Sequence, residues 1–503
     1  MEDDSSDDDS IDENEVGISS YLLRQLVRLH RDDPFVTSLT IGAGNWAVSA
    51  GNIIGKSRYL KRLTILNLWC EDLYSCLAQN RSIESIELIL SGECEEYNNL
   101  DVFRILRPFF EFNSNLRHID VTLTDLNMDL NILFNSLVSG LLKCKHLVSF
   151  RFLSSPEFAG DALEADNRAV SLFESLSGKS SLLRIAYGDF LLSTGCRAIA
   201  NLLNNPACKL QRLQLNEGYI DDDGVAILCN SSIMNSTLRE LDFFGNTHIT
   251  ASGLRTLSTV LSHPMCSLKT LAVSSNNVDD EGVTYLGDAL AVNKTLSHLS
   301  IRGNTGITLD GWRGFSNCLR SPFCGLEMLN IGGCDINGTS AGAILSALVG
   351  NSNSCLQELH MPSHDRTLAD TDWNLLSCLL CDKASIDRTY SSNHKLHTVD
   401  MTLRYEENLI PSDIASLLAM NANMNKSEVW RAKILKYYYS GSNLDIRPFT
   451  QMSESVLPIA IEWIGRDEAG FQLMYELVKG ITHCVQSVKR TTNAGEKRKH
   501  DCD

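Results

Sequence analysis

The chain has 503 residues, 43% of them hydrophobic and 21% charged, with a formal net charge of −18. That composition supports a large buried core. It contains no 18-residue apolar run that could span a membrane, and the acidic N-terminus is the opposite of a secretory signal, so export is not expected. The sixteen cysteines are scattered without a framework, which suits reduced thiols in an intracellular, most simply cytoplasmic, setting.

The chain opens on an acidic tail, residues 1–17, whose first fifteen positions hold nine acids and no base. Ser5, Ser6 and Ser10 lie upstream of acids there and would suit an acidophilic kinase. Residues 18–33 then place Ile18, Tyr21, Leu22, Leu26 and Leu29 on one helical face, the pattern of an N-terminal cap. Next comes GAGNWA (Gly42 to Ala47), a superficial dinucleotide fingerprint. The following strand ends at Leu66-Asn67 without the acid that such a site needs, so the glycines are read as turn residues.

From Val36 onward one hexad recurs: apolar, two variable, apolar, one variable, apolar. It appears as VTSLTI, LKRLTI, IESIEL, LRHIDV, LVSFRF, LLRIAY, LQRLQL, LRELDF, LKTLAV, LSHLSI, LEMLNI, LQELHM and LHTVDM, the last beginning at Leu396. The spacing holds near 28–30 residues through the central units. Each hexad reads as a short strand with its leucines on one face. Between hexads lie helical stretches such as SGLRTLSTVL and EGVTYLGDAL, each begun by an acid or Ser beside Gly: Asp223-Gly224, Ser252-Gly253, Glu281-Gly282. One strand and one helix cannot bury their apolar faces alone, so about 13 stacked units over 34–403 share a continuous core. The predicted fold class is α/β, a leucine-rich-repeat horseshoe solenoid with a parallel concave sheet and convex helices.

The ninth position of each unit should turn the chain. Asn246, Asn276 and Asn304 occupy it in central units and Cys334 in the next. A buried Asn amide can satisfy loop backbone groups that no ladder reaches. Elsewhere the position holds residues such as Leu68, Ser91, Thr124, Phe190 or Gly218, and no amide of this kind is available.

The segments NPACKLQRL, HPMCSLKTL and SPFCGLEML place Pro206, Pro264 and Pro322 in one register, with Cys208, Cys266 and Cys324 beside them. On these double units the sequence resembles the ribonuclease-inhibitor-like class of leucine-rich repeats. That class includes the repeat domains of nucleotide-binding immune receptors and of the GTPase-activating protein for the Ran GTPase. The resemblance is closest over 210–361. It implies the architecture, and its functions are separable from the fold.

Three insertions break the period: 91–101 and 154–167, both acidic and both after a strand, and 381–395, before one. Loops on a rigid scaffold are favoured places for binding residues. Beyond the last hexad, helical stretches near 411–424, 427–439, 453–464 and 468–488 read as a C-terminal helical cap over 404–488. The basic tail 489–503 carries Lys489, Arg490, Lys497, Arg498 and Lys499, a weak nuclear-import pattern.

No catalytic motif is recognisable, and neither a cofactor nor a metal is expected. Cys378 and Cys381 form C-x-x-C inside a helical run and read as core cysteines. Histidines 118, 298, 360 and 364 lie on or beside strands with no second ligand at suitable spacing, and read as solvated surface. The candidate site is the concave face, where alternate strand residues point away from the leucines: Arg212, Asn216, Glu240, Asp242, Phe244, His298 and Arg302. An aromatic among charges resembles a binding hot spot. The function expected is therefore a non-enzymatic protein–protein interaction scaffold using its concave face or rim loops. Acidity disfavours nucleic acid and membrane and suits a basic protein partner. The alternatives are a GTPase-activating protein like the Ran regulator, with Arg302 as its arginine, or an inhibitor of a basic enzyme such as a ribonuclease.

Overall fold

The computed structural model describes residues 20–42, 47–68, 70–91, 101–124, 130–154, 161–349, 351, 354–361, 370–400, 410–423, 425–440, 443 and 444, plus isolated positions between 452 and 475. Two compact units divide the chain, Met1–Val278 and Asp279–Asp503.

In the first unit, every hexad becomes a strand: β1 Ser38–Ile41, β2 Arg62–Leu66, β3 Ser85–Ser91, β4 His118–Thr124, β5 Ser149–Ser154, β6 Arg184–Gly188, β7 Arg212–Leu215, β8 Glu240–Asp242 and β9 Thr270–Ala272. Each pairs with the next in chain order, and every pairing is parallel. The second unit repeats the arrangement with β10 His298–Ser300, β11 Met328–Asn330, β12 Glu358–His360 and β13 Thr398–Asp400, again parallel throughout. A helix follows each strand in the described repeats, and the architecture is that of leucine-rich repeats. Antiparallel pairing occurs among the described residues in a two-residue hairpin, β14 Tyr439–Ser440 with β15 Asn443–Leu444, which the repeat pattern does not foreshadow.

The leucines go where the alternation sends them. Leu213, Leu215, Leu241, Phe243 and Leu271 are fully buried. Each contributes about 1.5–3 kcal/mol of apolar transfer, so the shared core dominates the stability of each repeat. The glycines at helix starts have a specific cause. Asp222, in the helix Asp222–Met234, accepts hydrogen bonds from Thr250 N at 2.8 Å and Gly253 N at 2.9 Å, capping the following helix, Ala251–Ser262. A Cβ on Gly253 would lie 2.5 Å from that carboxylate. Asp166 serves Leu192 and Gly195 in the same way, and in the second unit Asp280 serves Thr308 beside Gly311. An acid of one repeat thus closes the helix of the next, in place of a cap from the helix's own residues alone.

The turn amide performs as its position suggests. Asn246 is fully buried; its Oδ1 accepts from Gly218 N and Ile220 N, each at 3.0 Å. Its Nδ2 donates to Leu215 O at 2.8 Å and Phe243 O at 3.0 Å. Asn304 Nδ2 likewise donates to Ile301 O, and Cys334 Sγ reaches the same carbonyl at 3.1 Å. The residue just before the turn takes a left-handed backbone, with φ of 74° at Gly245 and Gly303 and 71° at Gly333, a conformation glycine adopts without strain.

Both ends depart from the sequence reading in detail. The helix Ser20–His30 buries Leu26 and Leu29, but Tyr21 is 71% exposed rather than on the packed face. Ile18 and the tail before it lie outside the described residues. At the other end, helices Ser412–Asn423 and Lys426–Tyr438 form close to the expected bounds, while the stretches 453–464 and 468–488 fall almost wholly outside the description. The insertion 381–395 is not a free rim loop. It folds into the helix Ile386–Ser391, and Lys433 seals it. The fully buried Lys433 ammonium donates to Leu380 O at 2.5 Å, to Asn393 O at 3.1 Å and to His394 Nδ1 at 3.0 Å. Burial pushes its pKa down to about 7.

The C-x-x-C pair also needs correcting. Cys381 is buried, but Cys378 is exposed, because the helix Asp370–Leu380 turns that position outward.

Candidate protein-binding face

Strand alternation leaves one face of the sheet uncovered by helices, and every candidate on a strand of the first unit points to it. Arg212 and Glu240 are register partners on β7 and β8. Their side chains form a two-pronged ion pair, Arg212 Nε with Glu240 Oε2 and Nη2 with Oε1, the latter at 2.7 Å. One strand level further, Gln214 Nε2 donates to Asp242 Oδ2 at 3.4 Å, and Phe244 N donates to Asp242 Oδ1 at 3.0 Å. Burial raises the Asp242 carboxyl above its ordinary range. Phe244 itself is 38% exposed while its neighbour Phe243 is fully buried, so the aromatic is presented outward. Asn216 differs: its Oδ1 is buried and has no hydrogen-bond partner among the described residues.

His298 and Arg302 belong to the second unit, on β10 and just beyond it. His298 Nδ1 is 2.7 Å from Ser297 Oγ, a local contact, and Arg302 is exposed. Of the seven candidates, Arg212, Glu240, Asp242 and Phe244 therefore form one patch, with the charges largely satisfying one another.

A different group of residues, which sequence reasoning did not single out, lies on the same face over β2–β6. Along one row of the register the strands present Arg62, Ser85, His118, Ser149 and Arg184. Serines at alternate strands leave a hollow of about 310 Å³, lined among others by Ser85, His118, Ser149 and Arg184. His118 is not simply solvated surface. Burial, then Arg184 and Arg62, lowers its pKa below the ordinary histidine value. Among the described residues neither Arg62 nor Arg184 has an ion pair or a side-chain hydrogen bond, whereas nearby Lys61–Glu84 and Arg151–Asp120 are paired. The signal available in sequence was the third position of each hexad, which is basic or Ser in these units.

His360 corrects the reading of the histidines too. In the second unit its Nε2 lies 3.3 Å from Glu358 Oε2 and its Nδ1 3.6 Å from Asp400 Oδ2. Asp400 is a cross-strand neighbour 40 positions away, invisible to a search by local spacing. Among the described residues no group of three or more His, Cys, Asp or Glu is placed to hold a metal ion. His364 and most of the glycine motif, residues 43–46, lie outside the described residues.

On the loops after β6–β8 a ladder of rings runs from repeat to repeat. Phe190 stacks on Tyr219 with centroids 4.3 Å apart, and Tyr219 meets His248 at 5.6 Å. The spacing of 29 residues between successive members was the clue in the sequence.

Comparison with known proteins gives a repeat signature and partial relatives. A family model described as "Leucine Rich repeat" matches residues 235–258 and 265–287. "NACHT, LRR and PYD domains-containing protein 14" of Mus musculus is 26% identical over 320 residues, which is 58% of this chain and 30% of that protein. The Homo sapiens protein of the same name is 25% identical over 332 residues, 60% of this chain and 28% of the relative. Protein 12 of that series from Mus musculus is 30% identical over 201 residues, covering 39% and 18%. This chain thus spans less than a third of the length of these curated relatives. A solved structure, "Crystal structure of Rad7 and Elc1 complex in yeast", aligns with 78% of this chain and 86% of its own at TM-score 0.44 and 15% identity. No described helix is long and apolar enough to cross a membrane.

Proposed function

We propose that this chain is a non-enzymatic scaffold that holds a protein partner on the uncovered face of its parallel sheet. The observation that carries this reading is the asymmetry of that sheet. One face buries leucines against helices, and the other offers Phe244, Arg62 and Arg184 to an incoming surface. A rigid sheet loses little conformational freedom on binding, which favours its use as a docking face. The helices of 404–488 act in this reading as a cap on the last repeat, in an intracellular protein.

The test places a photo-crosslinking residue at Gln214 in the intact chain and captures partners from lysate of its own cells. Capture should fall sharply in the Phe244→Ala, Asp242→Ala double variant. Crosslinks that form equally well from a convex-helix position such as Arg197, with no change in the double variant, would move the function off this face.

A further inference from the structure

We infer that the stripe Arg62–His118–Arg184 is a docking track for an extended acidic segment of a partner protein, one that carries a carboxylate at every third residue. The inference rests on the scaffold reading above and adds the chemistry of the partner.

The register sets the spacing. Arg62, Ser85, His118, Ser149 and Arg184 are successive partners on five adjacent strands. Neighbouring strands lie about 4.8 Å apart, so Arg62, His118 and Arg184 recur about every 9.6 Å along a line crossing the strands, the outer two as charges and the imidazole between them as a neutral polar group. A polyproline II segment has three residues per turn and advances about 9.3 Å per turn, so every third side chain points the same way at nearly that interval. Serines at the alternate strands keep the floor low between the basic groups, so a peptide backbone can approach. Both guanidinium groups are exposed and unpaired among the described residues, whereas Arg212, one strand further, is engaged by Glu240. An acidic ligand would therefore gain charge-assisted hydrogen bonds without first breaking native ones.

The charge balance selects a short peptide over a nucleic acid. The chain as a whole is at −18, and Glu87 and Asp120 border the stripe on the row two residues further along their strands, so a wide polyanion would meet acids on that side. A narrow segment with spaced carboxylates avoids those acids. Net acidity alone suggested a basic partner; the unpaired groups on the face point to an acidic one.

The experiment measures fluorescence anisotropy of two labelled dodecapeptides against the full chain, one of four Asp-Pro-Pro repeats and one with four Asp followed by eight Pro. Charge and composition are identical; only spacing differs. The spaced peptide should bind at least about fivefold more tightly. The Arg62→Ala, Arg184→Ala double variant should lose about tenfold or more, while Arg197→Ala on a helix changes nothing, as expected for contacts made by specific charges rather than by net field. Equal binding of the two peptides, or an unchanged double variant, overturns the proposal. So does binding that appears only when Asp9, Asp12 and Glu15 are changed to Asn, Asn and Gln, which would assign the stripe to the chain's own N-terminal segment. A chain that still captures a protein through Gln214 but ignores both peptides would sink this inference and leave the scaffold reading standing.

Discussion

The early repeats and the central repeats solve the same problem differently. Strands β3 and β4 run for seven residues and end at the ninth position itself, Ser91 and Thr124, whereas β8 and β9 run for three and stop four residues before Asn246 and Asn276. In the Asn246 turn the amide takes over the backbone groups, and the ladder of β8 ends early. In β3 and β4, which lack such an amide, the ladder continues to the ninth position itself. The exposed face differs too. The five-residue strands β2 and β6 present Arg62 and Arg184 without ion-pair partners among the described residues, while the short central strands present a compact patch whose charges pair off across the register.

Substitution at the ninth position is the sharpest way to break this comparison. Asn246→Ala strands four backbone groups in a buried turn and should cost about 3–4 kcal/mol in urea unfolding, because each buried unmet group carries its own desolvation penalty. Thr124→Ala, at the equivalent place in a long-strand repeat, should stay within about 0.5 kcal/mol. Similar losses at both sites would mean that the amide does not set strand length.

Gly253→Ala comes next. Its new Cβ meets the Asp222 carboxylate, so a loss of about 1–3 kcal/mol is expected from overpacking. Adding Asp222→Ala should recover part of that loss, since the clash goes with the carboxylate. A simple sum of the two single losses would refute the inter-repeat cap.

Cys334→Ala, where sulfur stands in for the amide with one weak contact, should cost about 1 kcal/mol or less, well below Asn246→Ala. Smaller still is the Arg212–Glu240 pair. Both groups are more than a third exposed, so Arg212→Ala should cost no more than about 0.5 kcal/mol by thermal unfolding.

The smallest effect is a pH slope. In the folded chain His118 binds its proton less readily than in the unfolded chain. The unfolded state therefore takes the proton first as pH falls, and stability held above the unfolded value of about 6.5 declines below it. His118→Gln should flatten that decline. An unchanged slope would show that burial and the neighbouring Arg184 and Arg62 do not burden the imidazole.

The architecture was legible in the hexads because period-two leucines, repeated every thirty or so residues, admit few burials other than a parallel stack. The turn amide Asn246 and the outward Phe244 were equally readable, since both follow from register alone. The glycine beside an acid was noticed, but its reason was not, because the carboxylate that excludes a side chain at Gly253 comes from the preceding repeat. The same limit hid His360 with Asp400 and the basic row from Arg62 to Arg184.

What the linear chain determined, then, is which residues face inward, where each strand begins and how often the pattern returns; these depend on local alternation and burial. What only the folded repeats decided is which outward charges are paired. Arg212 finds Glu240 across one strand spacing, while Arg62 has serines in register on both sides and Arg184 has Ser149 and Arg212, and that difference is a property of neighbours 23 to 35 positions apart. Electrostatic partners are chosen by the stacking register, which no local stretch of sequence contains.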